Sequence, residues 1–221
     1  MNRINVIGSG RVGAAVAARL RERGIAVDTD EPELVLLCVP DSAIAGVARA
    51  LEPGPWVAHV SGGTPLAALD PHERRFSVHP LQTFTRARGA EQLDGAWAAV
   101  TAERPDALRE GMRLAEVLGL HPFELADSAR TIYHAGAVFA SNYVVTLHRA
   151  ASLLFETAGA PPEALEPLMR RTIENGFELT GPIARGDWST VTAHRAAVQD
   201  SRPELDHLYE TLAGATLALA T

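Results

Sequence analysis

A chain of 221 residues with a formal net charge of −7 and one cysteine is long enough to bury a core as one large or two small domains. The acidic balance argues against non-specific binding to nucleic acid or anionic membrane, and a lone Cys38 excludes an internal disulfide. All twenty basic residues are arginine, so lysine Schiff-base and acid–base chemistry are excluded and proton transfer falls to histidine, carboxylate, tyrosine or water.

The first strand, through Ile4, Val6 and Ile7, runs into Gly8-Ser9-Gly10-Arg11-Val12-Gly13, and an Ala-rich helix over Arg11–Arg23 follows. This is a GxGxxG fingerprint between a strand and a helix, the setting that a dinucleotide site requires. Gly8 allows the tight turn, Gly10 lets a pyrophosphate approach the backbone, and Gly13 lets the helix pack closely. The helix start then turns its free N–H groups to the phosphates. No basic-plus-apolar leader precedes this strand, and a packed thiol at Cys38 suits a reducing cytoplasm.

Ile25–Asp28 reads either as a residual edge strand or as part of a link through Thr29–Glu33. A parallel crossover needs about a dozen residues, so the usual helix at this place has been lost. Asp28 lies twenty residues after Gly8, where an acid accepts the ribose hydroxyls of NAD; Arg11 is the competing group for a phosphate. The unbroken apolar run Leu34–Val39 is the pattern of a parallel strand buried on both faces, closed by Pro40. A helix through Ile44, Val47 and Leu51, a strand over Trp56–Val60, and a Ser61–Pro65 turn with Thr64 as a helix cap come next. Strands at Phe76–His79 and Ala96–Val100, a helix over Pro105–Leu118 and a strand over His121–Leu125 complete an α/β unit.

After residue 126 the pattern turns helical. Thr131–Thr157 is apolar over roughly 40 Å of helix, interrupted by His134, Asn142, His148 and Arg149. Those polar residues exclude a membrane span, and a helix apolar all round is buried in a core or at a subunit interface. Helices over Pro161–Glu178, Trp188–Val198 and Pro203–Ala220 follow, the last with Ser201 and Glu204 as a capping box. The expected fold is α/β: a Rossmann-like domain over 1–126, shortened after its second strand, then an all-helical domain over 127–221.

Three segments carry a resemblance: Ser77-Val-His79-Pro80-Leu-Gln82-Thr83-Phe84, Tyr133-His134 through Ser141-Asn142-Tyr143, and Leu179-Thr180-Gly181-Pro182 through Arg185-Gly186-Asp187. They resemble bacterial proteins in which a Rossmann-like domain precedes domain of unknown function 2520. That family is similar to the 6-phosphogluconate dehydrogenase-like superfamily, with ketopantoate reductase and pyrroline-carboxylate reductase. The resemblance implies an NAD(P)-linked reductase with a helical domain that often dimerises. The chain departs from it at Val138, where many members carry a catalytic lysine four residues before the asparagine, here Asn142.

His134 is the substitute proton donor, with Asn142 orienting the substrate; the seven-residue spacing of His134, Ser141 and His148 equally fits a polar stripe in a helix interface. His79, at the carboxyl edge of its strand with Gln82 and Thr83, faces the nicotinamide or substrate, or else bonds its own turn. Arg185 suits a substrate carboxylate, Asp187 caps the helix starting at Trp188, and His194 is a lesser candidate. Gly8, Ser9, Gly10, Arg11, Val12, Gly13, Val39 and Pro40 are the expected cofactor contacts. No metal-ligand spacing and no GxSxG elbow is present. The expectation is an NAD- or NADP-dependent oxidoreductase acting on a small carboxylate-bearing carbonyl or imine, a ketopantoate-like 2-oxo acid being the natural guess. The expected state is a homodimer through the helical domain, without nucleic-acid or membrane partners. A non-catalytic ligand sensor with a degenerate nucleotide pocket is the alternative, and pairing with a deazaflavin a third.

Overall fold

The computed structural model describes residues 1–220. By contacts the chain divides into two compact units, Met1–Ala140 and the residues from Ser141 onward. The first holds β1 (Arg3–Ile7), α1 (Arg11–Glu22), β2 (Ala26–Val27), β3 (Leu34–Leu37), α2 (Asp41–Arg49), β4 (Trp56–His59), β5 (Arg75–Leu81), β6 (Trp97–Thr101), α3 (Pro105–Val117), β7 (His121–Glu124) and α4 (Arg130–Ala140). The sheet ends at Glu124. The contact division falls one helix later because α4 is bonded to the sheet through Arg130 and Tyr133.

One seven-stranded sheet runs in the order β2-β1-β3-β4-β5-β6-β7, parallel except where β5 meets β6. Successive side chains of a strand point to opposite faces, and β3 shows what that demands. Leu34 and Leu36 join Val16, Leu20, Phe76 and Leu114 in one core, while Val35 and Leu37 join Ile44, Val57, Leu66 and Leu69 in the other. All four β3 residues are therefore buried, and the absence of alternation in the sequence follows from helices covering both faces.

The short crossover has a geometric cause. β2 pairs only with the start of β1, Val27 lying opposite Ile4, and β3 starts opposite that same Ile4. The chain leaves one edge of β1 at the level where it must enter the other, so it has no strand length to retrace. Asn5 holds the link in passing: its Nδ2 donates to the Thr29 carbonyl (2.9 Å) and its Oδ1 accepts from the Thr29 N–H (2.7 Å). Of the two readings of Ile25–Asp28, the edge strand is the one observed.

Three local expectations are corrected. Thr64 caps no helix: the chain forms a 3₁₀ turn over Leu66–Leu69 with no side-chain cap from Pro65, and Leu66 N–H donates to Asp127 Oδ1 at 3.0 Å. Ser201 is the last residue of a helix, not a cap of the next, and Glu204 pairs with Arg202 at 3.7 Å. The apolar stretch from residue 131 is not one buried rod. It breaks at Ser141 (φ −127°, ψ −72°), and Ile132, Phe139, Val145 and Leu147 are exposed in the single chain.

The second unit contains α5 (Asn142–Thr157), α6 (Leu165–Glu174), α7 (Trp188–Ser201) and α8 (Asp206–Ala220). The helix expected over Pro161–Glu178 is a 3₁₀ turn at Pro162–Ala164 followed by α6, and Gly176 and Phe177 end it with φ of +68° and +62°. Polar ties join its elements: Arg195 bridges α7 to Asp206 (2.9 Å) and Glu210 (2.7 Å) of α8, and Arg202 Nε donates to Thr157 Oγ1 (2.7 Å). Leu165 and Val198 are its buried hydrophobic side chains among the described residues. Among those residues no helix is long and apolar enough to cross a membrane.

Candidate functional site

The glycine turn lies between β1 and α1, beside the carboxyl end of β3. The strand order reverses here, β2 lying on one side of β1 and β3 on the other, and open α/β sheets bind ligands at that switch point. The three glycines stand in different circumstances. Gly8 has φ +116°, and a Cβ on it would stand 2.3 Å from the Cys38 carbonyl oxygen. A Cβ on Gly13 would meet the Gly8 carbonyl oxygen at 1.9 Å, so α1 packs onto the turn only through bare backbone. At Gly10 nothing stands within 4 Å. Two glycines serve the fold, and the third, which caps the N-terminus of α1, leaves open the space a pyrophosphate needs.

Around the turn, Ser9 and Arg11 are exposed, Val12 and Val39 half-buried and Pro40 exposed. Arg11 Nη1 lies 3.5 Å from the Phe84 carbonyl. Cys38 carries a thiol that burial pushes up to about 12, so it is a packed side chain and no nucleophile. Asp28, at the tip of β2, adopts φ +63° and pairs with Arg21 at 3.2 Å. That place therefore holds an anion and a cation together.

A second cluster lies at the carboxyl ends of β4 and β5, where the Ser61-Gly62-Gly63-Thr64 turn meets α4. His79 is inside β5, opposite Ala99 of β6, rather than beyond the strand. Its Nδ1 lies 2.8 Å from the Tyr133 hydroxyl, and its ring stands edge-on to His134 with centroids 5.9 Å apart. A Cβ on Gly62 would come within 2.8 Å of His79 Nε2 and 2.7 Å of His134 Cδ2. Only glycine lets the turn approach both imidazoles. Gln82 does not join them: its amide donates to the Gln92 carbonyl and accepts from Thr83 N–H, which makes it a loop brace.

Arg130 holds this region together. It is fully buried, and its guanidinium donates to Ser77 Oγ (2.5 Å), Thr101 Oγ1 (2.9 Å) and the Ser61 carbonyl. One side chain thereby joins α4 to β5, β6 and the turn after β4. Burial pushes it below its ordinary value, opposed by the negative end of Asp127, and Arg130 stays a cation in the protein interior. Ser61 donates through Oγ to Asp41 Oδ2 (2.8 Å) and accepts from Thr64 N–H (3.0 Å).

Burial and this cation keep two histidines neutral. Desolvation, with help from Arg130 and His79, pushes His59 down to about 3; its Nδ1 accepts from Ser61 N–H (3.2 Å) and its buried Nε2 has no partner. Desolvation, then His134 and Arg130, pushes His79 down to about 4, Asp41 opposing. Burial pushes the Tyr133 hydroxyl up to about 12. At neutral pH His59, His79 and Tyr133 are therefore uncharged, beside the fixed cation of Arg130.

Asn142 opens α5 in the second unit and is exposed; its Oδ1 lies 3.4 Å from Ser141 Oγ. The break at Ser141 removes the single-helix geometry that related it to His134 by spacing. Arg185 is exposed and bonded to the Thr180 carbonyl. Asp187 is the cap of α7, accepting from Thr190 N–H (3.1 Å) and Ser189 Oγ (2.8 Å). His194 reaches Tyr209 OH at 3.2 Å. Reading by motif missed Arg130, Tyr133, His59, Ser61 and Gly62 as site residues. The available signal was a single arginine heading an apolar helix and a Gly-Gly pair directly after a strand.

The family model described as domain of unknown function (DUF2520) matches residues 96–216, beginning just before β6. No curated protein matches the chain. Among solved structures, a Bacteroides fragilis protein provisionally named an NADP oxidoreductase is similar with a TM-score of 0.82 at 20% identity, over 98% of both chains. A Thermotoga maritima protein is similar with a TM-score of 0.77 at 25% identity, over 98% of this chain and 97% of its own. The 1-pyrroline-5-carboxylate reductase of Streptococcus pyogenes gives 0.63 at 15% identity, over 99% and 97%. The chain belongs to the DUF2520 family, on the Rossmann-like fold of NAD(P)-binding oxidoreductases.

Proposed function

We propose that this protein is an NAD(P)-dependent oxidoreductase that reduces a small carbonyl or imine bearing a carboxylate, a ketopantoate-like 2-oxo acid being the first substrate to try. The observation that carries the reading is the open space at Gly10 between two glycines whose Cβ positions are filled by backbone. Gly8 to Gly13, with Val39 and Pro40 across the switch point, would hold the cofactor. When bound, a nicotinamide cofactor supplies the hydride, and the protein supplies position and protons. His134 donates the proton that completes reduction. His79 lies against His134 and completes the polar wall. Similar structures provisionally named for NADP, or named a pyrroline-carboxylate reductase, support the same class.

Calorimetric titration with NADH and with NADPH tests this, beside Gly10→Val, whose branched side chain fills the open space. Micromolar binding that is lost in the variant is the expected result, and no binding at millimolar cofactor would overturn the reading. Preference between the two cofactors reports on the Asp28–Arg21 pair, since Asp28 favours ribose hydroxyls and Arg21 or Arg11 a 2′-phosphate.

One observation favours a second reading, a ligand sensor without turnover. β2 has two residues, and no helix lies between it and β3, so little of the usual wall for the adenosine half is present. Binding of cofactor without oxidation in the presence of 2-oxo acids and cyclic imines is its signature. The exposed Ile132, Val145, Leu147 and Leu212 further support a homodimer through the helical region. Sedimentation that shows only monomer at micromolar concentration removes that part.

A further inference from the structure

The bond between Tyr133 and His79 has a polarity that decides which edge of the imidazole carries its proton. The phenol has one proton, and burial, which pushes Tyr133 up to about 12, keeps it there. The imidazole is held neutral: Arg130 and His134 face it as groups that oppose a positive charge, Asp41 alone among its charged neighbours favours one, and His59 shares the same buried wall. A phenol is a good donor, and an unprotonated imidazole nitrogen is a better acceptor than a phenolic oxygen. At 2.8 Å the hydroxyl therefore donates to Nδ1. A neutral ring whose Nδ1 accepts must carry its hydrogen on Nε2.

That Nε2 edge is the one that faces the Gly62 turn. A Cβ on Gly62 would lie 2.8 Å from both Nε2 and Cε1 of His79, and 2.7 Å from Cδ2 of His134. With no side chain at Gly62, its bare backbone packs directly against both imidazoles. The Tyr133 ring stands edge-on to the imidazole with its centroid 5.5 Å from that of His79, and Phe123 packs edge-on against Tyr133 at 6.0 Å.

We propose that Tyr133 is a positioning residue that fixes His79 as its Nε2–H tautomer, so that the edge of His79 turned toward Gly62 and His134 carries a neutral N–H donor. For its substrate this rests on the reading above: the donor would bond the oxygen or nitrogen of the carbonyl or imine and polarise it. No proton leaves His79 in this role. The proton that completes reduction still comes from His134, so the two histidines divide polarisation from proton delivery. The arrangement gives electrostatic help at the developing negative charge from a donor already in place.

The tautomer is measurable without cofactor or substrate, so it stands or falls apart from the oxidoreductase reading. A long-range proton–nitrogen correlation spectrum of the uniformly ¹⁵N-labelled full chain at pH 7.5 separates the two ring nitrogens of each histidine. His79→Gln assigns the His79 signals by their loss. His72, whose Nε2 must donate to the Ala48 carbonyl at 2.8 Å, is the internal standard for the Nε2–H form and for intact folding. In the wild-type protein His79 is expected to match His72, with Nδ1 unprotonated. In Tyr133→Phe, with the His72 pattern unchanged, His79 is expected to shift toward an exchange average of both tautomers. A wild-type His79 that is protonated on Nδ1, or on both nitrogens, overturns the proposal whatever the variant does. So does a His79 pattern that Tyr133→Phe leaves unchanged.

Discussion

Gly13 packs so closely on Gly8 that a Cβ added to it would stand 1.9 Å from the Gly8 carbonyl oxygen, while Gly10 between them faces open space. The fingerprint is therefore part scaffold and part ligand surface, and the two parts separate by substitution. Gly13→Ala gains helix propensity worth about 1 kcal/mol, yet it must lift α1 off the turn, and overpacking costs about 1–3 kcal/mol or more. A net loss of stability is expected in urea denaturation. Gly10→Ala, at φ −70°, should stay within about 0.5 kcal/mol of wild type. Gly10→Val should weaken NADH or NADPH binding at least tenfold, or about 1.4 kcal/mol. Equal destabilisation by Gly13→Ala and Gly10→Ala would contradict the division.

Arg130 tests what ties α4 to the sheet. Its guanidinium meets Ser77, Thr101 and the Ser61 carbonyl in a dry interior, so Arg130→Met leaves buried oxygens short of a donor. Leaving a buried polar group without its partner costs about 1–3 kcal/mol, a sizeable part of the stability of an ordinary domain. Arg130→Lys keeps the charge and loses the fork, and should fall between the two. Denaturant midpoints for the three proteins measure this, and a loss under about 1 kcal/mol in Arg130→Met would show that the cluster is not structural.

The sheet was legible because burial on both faces writes itself as unbroken apolar runs such as Leu34–Leu37, and because the GxGxxG turn ties chemistry to a fixed spacing. The break at Ser141 left no such trace: neither proline nor glycine marks it, and the apolar pattern runs on across it. The site was legible only where one residue type is demanded by geometry. His79 and His134 stood out as titratable groups near motifs. Arg130 and Gly62 owe their importance to partners 53 and 17 positions away along the chain, in Ser77 and His79, and single-sequence spacing cannot register such partners.

Cys38 offers a plain check on burial. Desolvation alone raises its thiol to about 12, and the thiolate is the reactive form. Folded protein at pH 8 should resist iodoacetamide over a time in which urea-unfolded protein is alkylated completely, as followed by intact mass. Equal rates in the two states would place Cys38 at an accessible surface and count against the packing of β3 beside the glycine turn.

Acid should weaken this protein earlier than its carboxylates require. His59 and His79 have folded-state values of about 3 and about 4, below the 6.5 of an ordinary histidine. Between those limits the unfolded chain binds more protons than the native one, so stability rises with pH. Their contribution is complete above about pH 6.5 and is lost as pH falls from there toward 4. Each histidine can add a slope of at most about 1.4 kcal/mol per pH unit. Asp94 beside Arg19 and Asp206 beside Arg195 are held below the ordinary 3.8, so they keep their contribution until more acid conditions. Urea denaturation at pH 7.5, 6 and 5 therefore isolates the histidines. His59→Asn, which keeps an acceptor near the place of Nδ1, should reduce the slope by about half. A wild-type stability that is flat from pH 7.5 to 5 would mean that neither imidazole is held neutral by the cluster around Arg130, and a slope that His59→Asn leaves unchanged would mean that His59 is not.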